Sequence, residues 1–191
     1  MAVTAELVKE LRTRTGAGVM DCRRALDGAG GNLEQAAELL RAKGLAAAAK
    51  RAGRAASEGV VEAYVHAGSR LGALVELNCE TDFVARTEEF KKLARELAMQ
   101  VAAAAPRFLS KDEVPAGVLA EQRDAIAREA DGASPEEIDR RLEEWLKEVA
   151  LLDQPYIRDA GRRVGDLITD AAARTGENVQ VRRFSRFKLG E

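Results

Sequence analysis

The chain has 191 residues, of which 46% are hydrophobic and 32% are charged. This length fits one domain of ordinary size or a small module followed by a larger one, and the composition allows a packed core beneath a soluble surface. The net charge of −2 argues against a protein whose main task is to wrap nucleic acid, and no uninterrupted apolar stretch approaches the roughly 18 residues of a membrane-spanning helix.

The cysteines and the first residues indicate the compartment. Cys22 and Cys79 lie far apart, and neither belongs to a CxxC pair. They are therefore interpreted as small apolar side chains in a reducing compartment. The start of the chain lacks the basic segment and apolar run of a secretory leader. A cytoplasmic location without a membrane anchor is expected.

Residues 1–44 are predicted to form three short helices, because apolar side chains recur there at helical spacing. Glycines at 16–18 and 28–31 separate the helices. Asn32 is a predicted N-cap of the third helix, and Gly44 is its predicted C-terminal glycine. The expected buried stripes are Leu7, Val8 and Leu11; Val19, Cys22, Ala25 and Leu26; and Leu33, Ala36, Ala37 and Leu40.

The alanine-rich stretch 45–56 is predicted to be a helical connector, and a core domain is expected over 57–191. Alternation of apolar and polar residues predicts a β-hairpin at the start of the core. Helix-start residues at Thr81 and Thr87 then predict one short helical turn at 82–86, followed by a long helix. The alternating apolar positions are Val61, Ala63 and Val65, then Ala73, Val75, Leu77 and Cys79.

The rest of the core is predicted to contain a helical hairpin over about 115–152, with capping-box patterns at Ser110 and Ser134. A further helix ends at Gly176, and the tail 177–189 is predicted to be a strand. One face of this strand is expected to carry Val179, Val181, Phe187 and Leu189, with Phe184 on the other face. The expected fold class is α+β, with a three-helix module before an antiparallel sheet that has helices on one side.

No catalytic or metal-binding constellation is visible in the sequence. His66 is the only histidine, which excludes a histidine triad or a multi-histidine metal site within one chain. It is interpreted as a surface or strand-end residue. The glycine patterns that bind nucleotide phosphates do not occur, and no two carboxylates stand out as a general acid and base. No cofactor and no metal are predicted.

The segment 182–188, Arg-Arg-Phe-Ser-Arg-Phe-Lys, interleaves basic and aromatic residues. A nucleic-acid-binding strand could use them for stacking and phosphate contacts. An ordinary strand with phenylalanine inward and arginine outward is favoured, because the body of the chain is acidic.

The segment Thr81-Asp82-Phe83-Val84 places an aromatic residue in the first turn of a helix immediately after a strand. In one interpretation Thr81 caps the helix, Asp82 complements its dipole and Phe83 packs under the hairpin. In the other, the second start at Thr87 isolates Phe83 on a short protruding turn. A displayed aromatic ring beside a carboxylate would make a compact contact for another protein.

Three segments resemble a known family. Residues 76–86, Glu-Leu-Asn-Cys-Glu-Thr-Asp-Phe-Val-Ala-Arg, resemble the central signature of elongation factor Ts, the guanine-nucleotide exchange factor of bacterial and organellar translation. Residues 11–21 with 24–26 are similar to its N-terminal signature, and 176–178 followed by 181–184 are similar to its C-terminal one. The three motifs occur in order and span nearly the whole chain.

The resemblance implies a ubiquitin-associated-like fold for the first three helices, which would dock on the GTP-binding domain of elongation factor Tu in its GDP form. The core would dock beside the nucleotide. There Thr81, Asp82, Phe83 and Val84 would displace the Mg²⁺ that accompanies GDP, with Asp82 and Phe83 intruding. No cofactor, bond-making chemistry or direct nucleic-acid binding is implied. The first domain would contact the partner through Leu11, Arg12, Thr15, Gly16, Met20 and Arg23.

Two features depart from the family pattern. Arg23 stands where the family usually has lysine, which keeps the charge but changes the hydrogen-bonding geometry. Long members have two related core halves, the second of which contributes its own contacts including a histidine, and only one such unit is recognisable here. Short members are associated with homodimers, in which a second chain supplies the missing half. A homodimer that pairs through the strand at 177–189 is therefore expected.

Two other function classes remain open. An RNA-associated protein could use the basic tail and the basic head, and its binding would weaken steeply as ionic strength rises. A small enzyme could use Asp82 as its carboxylate, and Asp82→Asn would then abolish turnover. The long motif match places the exchange factor ahead of both.

Overall fold

The computed structural model describes residues 3–130 and 132–191. Met1 and Ala2 of the predicted first domain, and Asp131 of the predicted helical hairpin, lie outside the described residues. The chain divides into two compact units. The head unit comprises the described residues up to Ala56 together with 168–179, and the sheet unit comprises the described residues of 57–167 together with 180–191.

The predicted α+β class, with a helical region before a sheet, is confirmed. The described helices and strands, in chain order, are α1 (Ala5–Thr15), α2 (Val19–Gly28), α3 (Leu33–Arg51), β1 (Glu58–Val65), β2 (Leu71–Cys79), α4 (Asp82–Ala85), α5 (Glu88–Ala104), α6 (Ala116–Glu129), α7 (Pro135–Val149), β3 (Pro155–Tyr156), β4 (Asp159–Arg163), α8 (Val164–Thr175) and β5 (Gln180–Lys188). None of the described helices has the length and apolarity needed to cross a membrane.

The head unit packs α1, α2 and α3 around a small apolar core. Its fully buried residues are Leu11, Cys22, Leu26 and Ala36. Side-chain caps fix two of the helix starts: Thr4 Oγ1 accepts from the amide of Leu7, and Asn32 Oδ1 accepts from the amide of Gln35. These caps satisfy amides that would otherwise lack a partner within the helix.

Helix α3 does not end at Gly44, so that part of the prediction was wrong. A Cβ atom at Gly44 would lie 2.9 Å from the Cβ of Ala173 in α8, closer than two carbon atoms can pack. The glycine therefore serves a close approach of two helices within the head unit. Beyond the end of α3, the buried side chain of Asn178 donates from Nδ2 to the backbone oxygens of Ala52 and Arg54, at 3.3 and 2.7 Å.

The sheet unit contains an antiparallel sheet of order β1-β2-β5. One face is covered by α5 and carries the fully buried Val75 and Leu77. We call the other side the open face. It carries large apolar side chains that remain exposed, namely Val61, Val65, Leu74 and Phe187. The apolar alternation in β1 thus identified the strand, but its valines at 61 and 65 lie on the solvent side.

A β-bulge changes which side chains of β5 share a face. The register shifts beside Glu76 and Leu77, so that Phe184 lies opposite Val75 and Val181 lies opposite Leu77, both on the covered face. Phe187 lies opposite Gly72, on the open face. The expectation that Val181 and Phe187 share a face, with Phe184 on the other, was therefore wrong, because one extra residue in the strand reverses the alternation.

The predicted helical hairpin is confirmed as α6 and α7, but Ser110 does not start it. The chain there makes only a 3-10 turn at Lys111–Glu113, without a side-chain cap, and α6 begins after Pro115. Beyond α7, the small β3–β4 hairpin was not predicted. Buried amides hold it to α5, since Gln100 Nε2 donates to Gln154 Oε1 at 3.0 Å and Gln100 Oε1 accepts from the amide of Ile157 at 2.9 Å.

Candidate functional site

The turn that follows β2 is built by a capping threonine. Thr81 has extended backbone angles, and its Oγ1 accepts from the amide of Val84 at 3.4 Å. Its backbone oxygen accepts from the amide of Ala85 at 3.3 Å, which closes the single turn of α4. A threonine cap followed by aspartate supplies an acceptor and a negative charge where helix amides are free.

A second threonine ends this turn. Val84 O accepts from both the amide and the hydroxyl of Thr87, at 3.0 and 2.8 Å. Thr87 Oγ1 in turn accepts from the amide of Phe90 at 3.3 Å and starts α5. The prediction of a short turn before a long helix is confirmed, and the two caps explain why α4 stops after four residues.

The turn points one set of side chains inward and another outward. Val84 and Ala85 are buried, with 7% and 5% of their surface exposed. Phe83 is 78% exposed, which makes it the most exposed large apolar side chain among the described residues. Packing of Phe83 under the hairpin is therefore excluded in this structure. The buried pair anchors the turn, and the ring lies in solvent.

A carboxylate lies directly beside this ring. Asp82 Oδ2 is 2.7 Å from the guanidinium of Arg86, one helical turn away, and both side chains are more than half exposed. An exposed pair of this kind contributes little to the free energy of unfolding. The candidate site therefore consists of an aromatic ring and a carboxylate on a pinned turn, with Thr81 and Val84 holding the turn rather than projecting from it.

The head-unit residues named by the resemblance fall into two groups. Leu11 is fully buried, and Thr15 and Gly16 form the end of α1, where Thr15 Oγ1 donates to Leu11 O at 2.8 Å and Gly16 adopts a φ of 69°. Arg12, Met20 and Arg23 are exposed. The outward group thus combines two cations with a methionine that is 61% exposed.

One exposed neighbour in the head unit was placed on the wrong side by sequence reasoning. Val19 was expected in the buried stripe of α2, yet it is 50% exposed beside Met20. Its position as the first residue of α2, directly after Gly18, is the feature that could have revealed this, since a first-turn residue need not follow the stripe. Nearby, hydrogen bonds from Lys43 and Arg24 lower the pKa of Asp21.

The basic aromatic segment of β5 follows the favoured pattern of phenylalanine inward and arginine outward only in part: Phe184 and Arg183 follow it, but Arg186 and Phe187 do not. Arg186 reaches back to α5, where its Nε donates to Ala102 O at 3.0 Å, whereas Phe187 is 69% exposed. Arg183 pairs with Glu76 across the open face at 2.6 Å. The lone histidine follows β1 as expected, exposed at a strand end, with Nδ1 3.0 Å from the hydroxyl of Tyr64.

Metal-ligating side chains do not cluster anywhere in the described part of the chain. The arrangement that stands out is instead a displayed aromatic ring with a carboxylate on a braced turn. Such a convex feature fits a recess in another macromolecule rather than enclosing a small ligand.

Comparison with known proteins gives the family. A family model described as Elongation factor TS matches residues 46–191. The chain is 53% identical to elongation factor Ts of Carboxydothermus hydrogenoformans, over 99% of this chain and 90% of that protein. It is also 53% identical to elongation factor Ts of Caldanaerobacter subterraneus subsp. tengcongensis, over 99% of this chain and 98% of that protein. The chain therefore belongs to the elongation factor Ts family.

Proposed function

We propose that this chain is a guanine-nucleotide exchange factor of translation elongation. It binds elongation factor Tu carrying GDP, disturbs the Mg²⁺ beside the nucleotide, and promotes GDP release so that GTP can bind. Family membership supports the partner. The observation that carries the mechanism is the 78% exposure of Phe83 on a turn whose neighbours Val84 and Ala85 are buried.

The chemistry requires displacement rather than bond cleavage. Mg²⁺ demands near-ideal octahedral geometry and uses diphosphate oxygens among its ligands. A rigid turn that inserts the ring of Phe83 and the carboxylate of Asp82 nearby would disturb those ligands and loosen the diphosphate. No bond in GDP is broken, and the chain acts without enzymatic bond-making.

The coupling between factor and nucleotide must be reciprocal. If the factor weakens GDP binding, then GDP weakens binding of the factor by the same ratio. A coupling of about 3 kcal/mol would change each affinity roughly 150-fold. The final ratio of GDP-bound to GTP-bound partner is unchanged, because the factor leaves again. Such a role places the protein in the cytoplasm, where translation occurs.

The head unit would supply the second contact. Arg12, Met20 and Arg23 project outward and offer an apolar anchor flanked by cations. Leu11, Thr15 and Gly16 would act through the shape of the α1–α2 corner, since the first is buried and the other two end a helix. We propose that this three-helix segment is a docking domain with a ubiquitin-associated-like fold.

The test is release of a fluorescent GDP from elongation factor Tu in stopped flow at fixed Mg²⁺. The protein should accelerate release strongly, and Phe83→Ala should lose most of the acceleration. Ile157→Ala is the matched control, because Ile157 is a large apolar side chain, 46% exposed, on the separate β3–β4 hairpin. This variant should behave like the unmodified protein. Absence of acceleration by the folded protein would overturn the proposed function.

We further propose that the protein is a homodimer in which a second copy supplies the missing core half. The side chain of Val181 is buried within the sheet unit and is not available for contact with a second copy. The open face is available, because Val65 and Phe187 lie on either side of Gly72, and Leu74 and Val61 are exposed on the same face. Apolar side chains exposed on one face of a sheet suit a second sheet packed face to face.

Sedimentation at micromolar concentration tests the dimer. We expect twice the chain mass for the unmodified protein and the chain mass for Phe187→Glu, since a charge buried in an apolar interface would have no partner. A single-chain mass for the unmodified protein would refute the dimer and would leave the proposed exchange function unaffected.

A further inference from the structure

The turn that displays Phe83 is too short to be stable alone. Helix α4 has four residues, whereas isolated helices need roughly 12 to 15 residues even with favourable sequences. Its shape must therefore come from contacts with its surroundings. The inward side chains Val84 and Ala85 supply apolar packing, but apolar packing is not directional. Hydrogen bonds are directional, so they can fix the direction in which the chain leaves β2.

One such bond comes from a buried thiol. Cys79 is the last residue of β2 and is fully buried. Its Sγ donates to the backbone oxygen of Thr81 at 3.2 Å. The same oxygen accepts the amide of Ala85 at 3.3 Å, which is the bond that closes α4. The thiol at the end of β2 thus donates to the same carbonyl that accepts the first hydrogen bond of the helical turn.

We propose that Cys79 is a positioning residue for the turn that presents Asp82 and Phe83. The thiol orients the carbonyl of Thr81 from within the core, so that the turn starts in one direction and the ring of Phe83 points to solvent. A cysteine suits this place, because it packs as a small apolar side chain and still carries a donor. The functional part of this inference rests on the exchange activity proposed above.

Three variants separate positioning from bulk stability. Cys79→Ala removes the donor, Cys79→Ser keeps a donor at the same place, and Val101→Ala is the matched control. Val101 is also fully buried, but it lies in the last turns of α5 and makes none of the bonds described for the α4 turn. Its truncation lowers stability by loss of packing alone.

The first readout is amide hydrogen exchange of Val84 and Ala85, whose N–H groups bind the hydroxyl and the carbonyl of Thr81. Cys79→Ala should accelerate their exchange by about fivefold relative to Val101→Ala, as expected for the loss of one weak hydrogen bond. Cys79→Ser should stay within about twofold of the unmodified protein. Equal exchange in the alanine variants at 79 and 101, or no rescue by serine, would overturn the proposal.

The second readout is the maximal rate of GDP release at saturating factor. Cys79→Ala should lower this rate several-fold and leave the half-saturating concentration unchanged, because the docking surfaces remain intact. Combined with Phe83→Ala it should cause a smaller further loss than Cys79→Ala causes alone, since a residue that acts partly through Phe83 is coupled to it in a double-mutant cycle. Additive losses would overturn the functional part. If the unmodified protein accelerates nothing, the exchange function fails, while hydrogen exchange still decides the role of Cys79.

Discussion

Two phenylalanines at neighbouring helix starts have opposite surroundings. Phe83 is 78% exposed and Phe90 is 3% exposed, although each follows a capping threonine. In both turns the third residue after the threonine points inward, namely Val84 and Phe90. The second residue points to solvent, and this is Phe83 in α4 but Glu89 in α5.

The comparison shows that the exposure of Phe83 is set by its position in the chain relative to the capping threonine. A phenylalanine one position later would fall at the buried third place, where α5 has Phe90. The same kind of threonine cap is thus followed by an exposed phenylalanine in α4 and by a buried one in α5. Phe83 therefore lacks the packing that places most phenylalanines in a core.

The largest effect should come from truncating each phenylalanine. Phe90→Ala removes a buried ring from the inner side of α5 and should lower the free energy of unfolding by about 3–5 kcal/mol. Phe83→Ala removes an exposed ring and should change it by less than about 0.5 kcal/mol. Urea denaturation followed by circular dichroism measures both. If Phe83→Ala destabilises as much as Phe90→Ala, the contrast between the two turns is wrong.

A smaller effect should come from removing the caps. Thr87→Ala should lower the free energy of unfolding by about 1 kcal/mol, because α5 is long and packed against the sheet. Thr81→Ala should lower it by less than about 0.5 kcal/mol, because only one helical turn depends on it, yet GDP release should slow.

Denaturation and stopped flow on the same two cap variants separate these outcomes. Thr87→Ser and Thr81→Ser keep a hydroxyl at each cap and serve as controls. Equal losses of stability in the two alanine variants would show that α4 contributes to the fold as much as α5 does, and the contrast would then have to be abandoned.

Most elements of the sheet unit and helix α8 could be predicted from the sequence, because their apolar periodicity is undisturbed or their first residue is a clear cap. The β-hairpin of β1 and β2, the helices α5 to α8 and the short turn at α4 all follow from apolar spacing and caps. The exposure of Asp82 and Phe83 could also have been deduced from their positions relative to the capping residue Thr81. The first and second residues after Thr87 are exposed in the same way.

Features that depend on tertiary contacts could not be predicted. Gly44 has the pattern of a helix end, but it serves close packing against Ala173 inside a continuous helix. The bulge in β5 leaves no mark in the apolar pattern, so the alternation assigned Phe187 and Val181 to one face. The β3–β4 hairpin is short and rich in arginine, and buried bonds from Gln100 hold it in place.

The discontinuity of the head unit bears on how the protein is made. A ribosome delivers the chain from its N-terminus, and domains generally fold as units when their residues become available. The small core around Leu11 and Leu26 can form early. Its remaining partners, Ala173 against Gly44 and Asn178 on the backbone of Ala52 and Arg54, emerge more than a hundred residues later. These contacts in the second half and at the end of α3 can therefore form only when synthesis is nearly finished.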